Sequence, residues 1–198
     1  MENKISELER KILNLQYEVN LLSGSMINSM YKLTSEGAEL SSPDKIRGFE
    51  PVSKKHLQEH DSQSEVILPQ SGSKLSAGYD FYLTRDVTIP PGDSVFFWTD
   101  VKAYMQPGEV LLLNVRSSIG IKKGLMLSNT IGVIDADYYS NPDNDGNIGI
   151  ELRNLGDKEV SLRKGERVAQ GIFVNFLQAD NGNTSKDRVG GIGSTGNK

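Results

Sequence analysis

Along the first 35 or so residues, Ile5, Leu8, Ile12, Leu15, Val19 and Leu22 recur at alternating spacings of three and four. That is the seam of a coiled-coil helix. Glu2, Lys4, Glu7, Glu9, Arg10, Lys11 and Glu18 fill the positions between and suit a wet face. Ser23 and Gly24 weaken the seam, which resumes at Met26 and Leu33. The narrow stripe favours self-association over an amphipathic helix packed on its own domain. Residues 36–43, EGAELSSP, read as a linker. A strand is expected around Ile46 to Val52, followed by a very polar stretch read as an exposed loop or short helix. From Val66 the texture changes to short β-rich runs: AGYDFYL, VTIPPGDSVFFWTDV, QPGEVLLLNV, IGIEL and VSLRKGERVAQGIFVNF. Pro90-Pro91-Gly92-Asp93, Pro107-Gly108 and Lys164-Gly165 punctuate them as turns. Residues 44–180 are therefore expected to form a mainly β domain of many short strands, a jelly roll or β-barrel. Residues 181–198, rich in Gly, Ser and Asn, read as a flexible tail.

Composition narrows the partners. The 198 residues are 36% hydrophobic and 24% charged, which allows a packed core. The net charge of −4 argues against a dedicated nucleic-acid binder. The absence of cysteine excludes disulfides and thiolate chemistry, and fits a reducing, cytoplasmic location. No apolar run reaches the ~20 residues that span a bilayer, so no membrane partner is expected.

Two motifs are spelled without their context. His56–His60, HLQEH, has the H-x-x-E-H spacing of a zinc-peptidase helix. Its flanks are polar and no third ligand stands out. Gly191–Gly196, GIGSTG, spells a dinucleotide fingerprint, but two residues after it cannot make the helix that such a site needs. A glycine-rich strip can still cradle phosphate through backbone N–H groups.

Gly132–Gly146, GVIDADYYSNPDNDG, is the most acidic stretch, with a carboxylate at Asp135 directly after an apolar, β-branched run. It is either a solvated turn or a catalytic hairpin. Four other polar stretches accompany it in order: AGYDFYL, VRSSIG, GERVAQ and RVGGIGSTG. Each alone is weak. Together, in this order across an all-β domain, they resemble the five motifs of the deoxyuridine triphosphate nucleotidohydrolases, the dUTPases, over roughly Lys45 to Gly196.

The resemblance implies hydrolysis of dUTP to dUMP and pyrophosphate by water attack on the α-phosphorus, which limits uracil in DNA. It implies Mg²⁺ as cofactor and a homotrimer with shared active sites. Asp135 aligns with the aspartate that activates the water, and Tyr138 with the tyrosine that packs under the deoxyribose and leaves no room for a 2′-hydroxyl. Asn129, Gly132 and Val133 lie where the family's hairpin reads uracil. Asp80 aligns with an aspartate of the metal's water shell. Arg116, Ser117, Ser118 and Gln170 align with phosphate contacts. Arg167 braces the site by pairing with a carboxylate, and Asp137 faces solvent or braces the hairpin. Arg188 with Gly191, Ile192, Gly193, Ser194 and Thr195 align with a lid that grips the γ-phosphate. The residue types suit the task. Arginines supply fixed charge in bidentate geometry, serines and glutamine neutral donors, and a carboxylate can hold a water in line with phosphorus.

Three features depart from the family pattern. Ile192 stands where an aromatic residue usually stacks on uracil. Arg188 sits one residue nearer the paired glycines than in many members. Tyr139–Asp145 lengthens the turn after Tyr138, read as a solvent-facing loop or as an added contact near the site or with a partner. A deoxycytidine triphosphate deaminase shares this fold, but Asp135 stands where its third-motif glutamate belongs. A nucleotide-controlled regulatory binding protein, using the N-terminal helix and the long turn as extra surface for a protein partner, is the alternative from another class.

Overall fold

The computed structural model describes residues 45–61, 63–181 and 190. The expected N-terminal helix, the linker and the lid residues Arg188 and Gly191 to Thr195 lie outside the described residues.

The regular secondary structure of the described residues is mainly short antiparallel strands. They are β1 (Gly48–Pro51), β2 (Gln70–Ser71), β3 (Tyr79–Tyr82), β4 (Val87–Ile89), β5 (Ser94–Trp98), β6 (Val101–Tyr104), β7 (Glu109–Val115), β8 (Leu125–Leu127), β9 (Gly132–Asp135), β10 (Gly149–Asn154), β11 (Val160–Leu162) and β12 (Arg167–Asn175). They form a five-stranded sheet in the order β2-β3-β12-β7-β9, a three-stranded sheet β5-β10-β8, and the pairs β1-β6 and β11-β4. This is the mainly β architecture expected. Gly92, Gly108 and Gly165 take positive φ at the expected turns. A seven-residue helix, α1 (Ser117–Lys123), was not anticipated; it buries Ile119 and ends on Gly124 in the left-handed conformation. Among the described residues, no helix is long and apolar enough to cross a membrane.

β7 is paired on both edges, by β12 and β9. Its consecutive Val110 and Leu111 point to opposite faces and both are buried, which explains why EVLLLNV is an apolar run and not an alternation. Its Leu111 and Leu113 enter a core with Phe81, Phe97, Leu125, Ile148, Ile150 and Leu152. Phe49, Tyr79, Phe81 and Phe173 pack edge-on and tilted beside it, with centroids 5.4–5.9 Å apart.

The polar stretch after β1 is held down by one distant carboxylate. Asp100 is fully buried, at positive φ, in the turn between β5 and β6. It accepts backbone N–H bonds from Gln58 (2.9 Å), Glu59 (2.9 Å) and His60 (2.8 Å), and side-chain bonds from Asn147 Nδ2 (2.9 Å) and His60 Nδ1 (3.0 Å). Only Lys54–His56 is helical, as one 3₁₀ turn, so the H-x-x-E-H spelling forms no metal-binding helix. His60 pairs with Asp100, and His56 Nδ1 meets Ser53 Oγ at 2.9 Å. Burial alone pushes the Asp100 carboxyl up, but these hydrogen bonds outweigh it and hold the group below its ordinary 3.8. Asp145 is shifted the same way: burial raises it, while the Ser53 N–H and Lys102 overcome that.

Asp100→Asn presents an NH₂ to N–H donors in either amide orientation and is expected to cost about 2–4 kcal/mol in denaturant unfolding at neutral pH. Both depressed carboxyls contribute stability that is complete above the unfolded value of 3.8 and lost as pH falls through the lower folded values. Acid titration of the unfolding midpoint is therefore expected to fall less steeply in Asp100→Asn; an unchanged acid limb would remove Asp100 as its source.

Candidate active site

Two groups of motif residues emerge beside one strand, β7. The first surrounds Asp80 on β3, which is buried. Its Oδ1 forms an ion pair with Arg116 Nε at 2.8 Å, and its Oδ2 accepts a hydrogen bond from Arg167 at 3.1 Å. Arg116 follows the end of β7 and precedes α1, so Ser117 and Ser118 open that helix beside it. Gln170 lies directly opposite Asp80 in the β3–β12 register and therefore on the same face. Arg167 is three residues before Gln170 and in a regular strand would face the other way. A bulge between Arg167 and Ala169 inserts one residue and turns Arg167 back toward Asp80. Gly78 completes the group: a Cβ there would lie 2.7 Å from Gln170 Oε1, so glycine is what lets the Gln170 amide rest against β3.

The pairing expected of Arg167 with a carboxylate is present, and its partner is Asp80. Arg116 shares that partner. With both oxygens engaged by guanidinium groups, Asp80 suits contact with a metal through water better than direct ligation. Among the described residues, no three His, Asp or Glu side chains converge as a metal cluster.

The second group lines a cleft of about 660 Å³. Asn129, Gly132, Val133 and Tyr138 all border it, so the residues expected at the base and sugar share one cavity. Asp135 ends β9 and is exposed; Ala136–Tyr138 then makes a 3₁₀ turn that buries the Tyr138 ring. Asp137 is exposed. The Tyr138 hydroxyl donates to the Asn147 carbonyl at 2.7 Å and accepts from Asn144 Nδ2 at 2.7 Å.

The Tyr139–Asp145 turn is not the solvated loop that its composition suggests. Asn141 and Asp145 are buried. Lys102 Nζ reaches Asp145 Oδ1 at 3.0 Å, and the Ser53 N–H reaches Oδ2 at 2.6 Å. Sequence reasoning also missed Phe96, Gly149 and Glu151, which line the cleft. Phe96 stands next to fully buried Phe97 in SVFFW, a run that hides which ring faces which side. Gly149 is required because a Cβ there would lie 2.4 Å from the Phe96 ring.

β7 fixes the separation of Asp135 from Arg116. Asp135 lies opposite Val110 near its start, and Arg116 follows its last residue, Val115. Six residues at a strand's rise put them roughly 20 Å apart along β7.

Comparison with known proteins gives a consistent result. The dUTPase family model matches residues 64–196. The deoxyuridine 5′-triphosphate nucleotidohydrolase of Lactococcus lactis subsp. lactis (strain IL1403) is 47% identical over 154 residues, covering 77% of this chain and 99% of that protein. The enzyme of the same description from Hahella chejuensis (strain KCTC 2396) is 33% identical over 143 residues, covering 68% and 90%. Among solved structures, a dUTPase from Streptococcus mutans has 45% identity and a TM-score of 0.58, covering 68% of this chain and 99% of that one. A dUTPase from phage phi11 of S. aureus, at 20% identity and TM-score 0.54, covers 71% and 96% and shares the fold.

The two arginines differ in burial, with side-chain exposure of 26% for Arg116 and 47% for Arg167. Solvent screens the second pair more. Arg116→Ala is expected to lower stability by about 2 kcal/mol and Arg167→Ala by less than about 1 kcal/mol. Denaturant unfolding of both variants checks this, and equal losses would mean that the Asp80 clamp is symmetric.

Proposed function

The chain belongs to the dUTPase family and is a dUTP diphosphatase, and on that footing we propose how its residues divide the reaction. Asp135 accepts a proton from a water held in line with the α-phosphorus. The water oxygen bonds to that phosphorus as the bond to the bridging oxygen of the β-phosphate breaks, releasing dUMP and pyrophosphate. Asp135 is suited to this by its place at the open end of β9, one 3₁₀ turn before the tyrosine that lines the cleft. Asn129, Gly132 and Val133 hold the base, and the Tyr138 ring occupies the space a 2′-hydroxyl would need. Arg116, Ser117, Ser118 and Gln170 take phosphate oxygens, with Arg167 bracing Asp80. Arg188, Gly191, Ile192, Gly193, Ser194 and Thr195 close over the nucleotide.

Mg²⁺ is the proposed cofactor, and when bound it neutralises triphosphate charge. Asp80 would meet it through water, since guanidinium groups hold both its oxygens.

The observation that carries a shared site is the distance along β7. A water at Asp135 and a phosphate at Arg116 of the same chain are roughly 20 Å apart, far beyond a reacting distance of about 3–3.5 Å. A second copy can bring its Arg116 end to this chain's Asp135, and the glycine-rich tail of a third copy can close the site. The assembly we propose is a homotrimer. Its N-terminal segments, residues 1–35, form a three-stranded bundle on the threefold axis or fold back on their own domains. The enzyme so described limits uracil in DNA and supplies dUMP.

Asp135→Asn is expected to bind a non-hydrolysable dUTP analogue nearly as well as the native protein while losing about 10²- to 10⁴-fold in turnover. Mixing Asp135→Asn chains with Arg116→Ala chains under exchange tests the sharing. Each variant alone is inactive, while random mixing places both native residues in about a quarter of the sites. Pyrophosphate release in the mixture is the readout. No recovery would show that one chain supplies both residues.

A further inference from the structure

The tyrosine at the sugar position is gripped from behind by the extra turn. Two hydrogen bonds hold its hydroxyl. It donates to the Asn147 carbonyl (2.7 Å), and Asn144 Nδ2 donates to it (2.7 Å). The orientation of the Asn144 amide follows from its surroundings. Asn144 Oδ1 accepts from Asn141 Nδ2 (2.7 Å) and from the Gly146 N–H (3.0 Å), so its NH₂ must be the end that faces Tyr138. Asn141 is buried and is itself tied by its Nδ2 to the Tyr138 carbonyl at 2.9 Å, while its Oδ1 accepts the Asn144 N–H at 3.2 Å. Gly146 lets the turn close against Tyr138: its φ is +82°, and a Cβ there would lie 2.7 Å from the Tyr138 carbonyl oxygen.

Two anchors keep the turn from moving as a unit. Asp145 is held by Lys102 and the Ser53 N–H. Asn147 Oδ1 accepts the Asp100 N–H (2.9 Å), and its Nδ2 donates to the Asp100 carboxylate (2.9 Å). The ring therefore cannot slide deeper without breaking a bond at its tip. A cavity of about 370 Å³, bordered by Asn144, Asn147, Trp98 and His56, lies beyond the clamp and could receive a displaced side chain.

We propose that Asn144 is a positioning residue for substrate choice. By holding the Tyr138 hydroxyl, it sets how far the ring stands into the cleft, and so how strictly a ribose is refused. The inference rests on the reading of Tyr138 as the group that excludes a 2′-hydroxyl. It assigns the inserted turn a role in selectivity and none in the chemical step.

The test compares kcat/KM for dUTP and UTP. Asn144→Ala removes the clamp. Asn144→Asp keeps an oxygen for Asn141 and Gly146, and its second oxygen accepts from the Tyr138 hydroxyl, which turns toward it, so the turn and the grip both persist. Asn144→Ala is expected to lower the dUTP:UTP preference about tenfold, chiefly by raising kcat/KM for UTP. Asn144→Asp is expected to retain most of the preference, a rescue that follows the bond to the ring. In a Tyr138→Phe background there is no hydroxyl to hold, and Asn144→Ala should change the preference no further. Tyr138→Ala separates the two layers. If it leaves the preference intact, the reading of Tyr138 fails. If it abolishes the preference while Asn144→Ala keeps the native value, Tyr138 stands and the role of Asn144 is overturned.

Discussion

A single carboxylate without solvent exposure, Asp100, organises the corner on which the sugar side of the site depends. A charge in that position is tolerable only when hydrogen bonds replace its water. Here five donors do so, three of them consecutive backbone N–H groups from residues 58–60. The consequence is topological. One side chain in the β5–β6 turn ties down a polar segment some forty residues earlier and, through Asn147, the turn that follows Tyr138 some forty residues later. Hydrophobic burial would not have done this, because neither segment has apolar surface to offer.

The second constraint is the register of β7. In an antiparallel ladder the position of one residue fixes the positions of all its partners. Pairing Val110 with Asp135 and Asn114 with Gln170 sends the acidic end of β9 to one end of the sheet and the basic cluster to the other. No side chain spans that gap. The separation is a property of the strand, and the sharing of sites proposed between copies rests on it.

Legibility in the sequence followed the range of the interactions. Strands and turns were readable because alternation, β-branching and Pro-Gly punctuation are local, and the strand expected at 46–52 falls on β1. The motif residues expected at the base and sugar were readable as a set, since Asn129, Gly132, Val133 and Tyr138 fall within ten residues of sequence and line one cleft. What composition concealed was the direction of polar side chains. The turn containing Asn141, Asn144 and Asp145 looks solvated because Asn, Asp, Pro and Gly are turn formers. Its asparagines instead bond inward, to Tyr138 and to one another. HLQEH looked like a candidate metal helix because its true partner, Asp100, is far away in sequence. Arg167 could be assigned a carboxylate partner by resemblance, but the bulge that aims it at Asp80 leaves no mark in a single sequence.

The Asp80 cluster shows how a carboxylate can serve an anion site. Two arginines alone would present two positive charges to a triphosphate, and Asp80 reduces that to one. On charge alone the aspartate weakens attraction, so its contribution has to be geometric. Unpaired arginine side chains carry about 2 kcal/mol of rotamer entropy each, and a phosphate would have to order them on arrival. Clamping both to a buried carboxylate moves that ordering into folding, where it no longer subtracts from binding. It also keeps two like charges close together, which their mutual repulsion would otherwise oppose. The same logic holds for the Tyr138 ring, whose hydroxyl is held by Asn144 and Asn147. In both places, polar groups set the positions of the side chains proposed to meet the nucleotide.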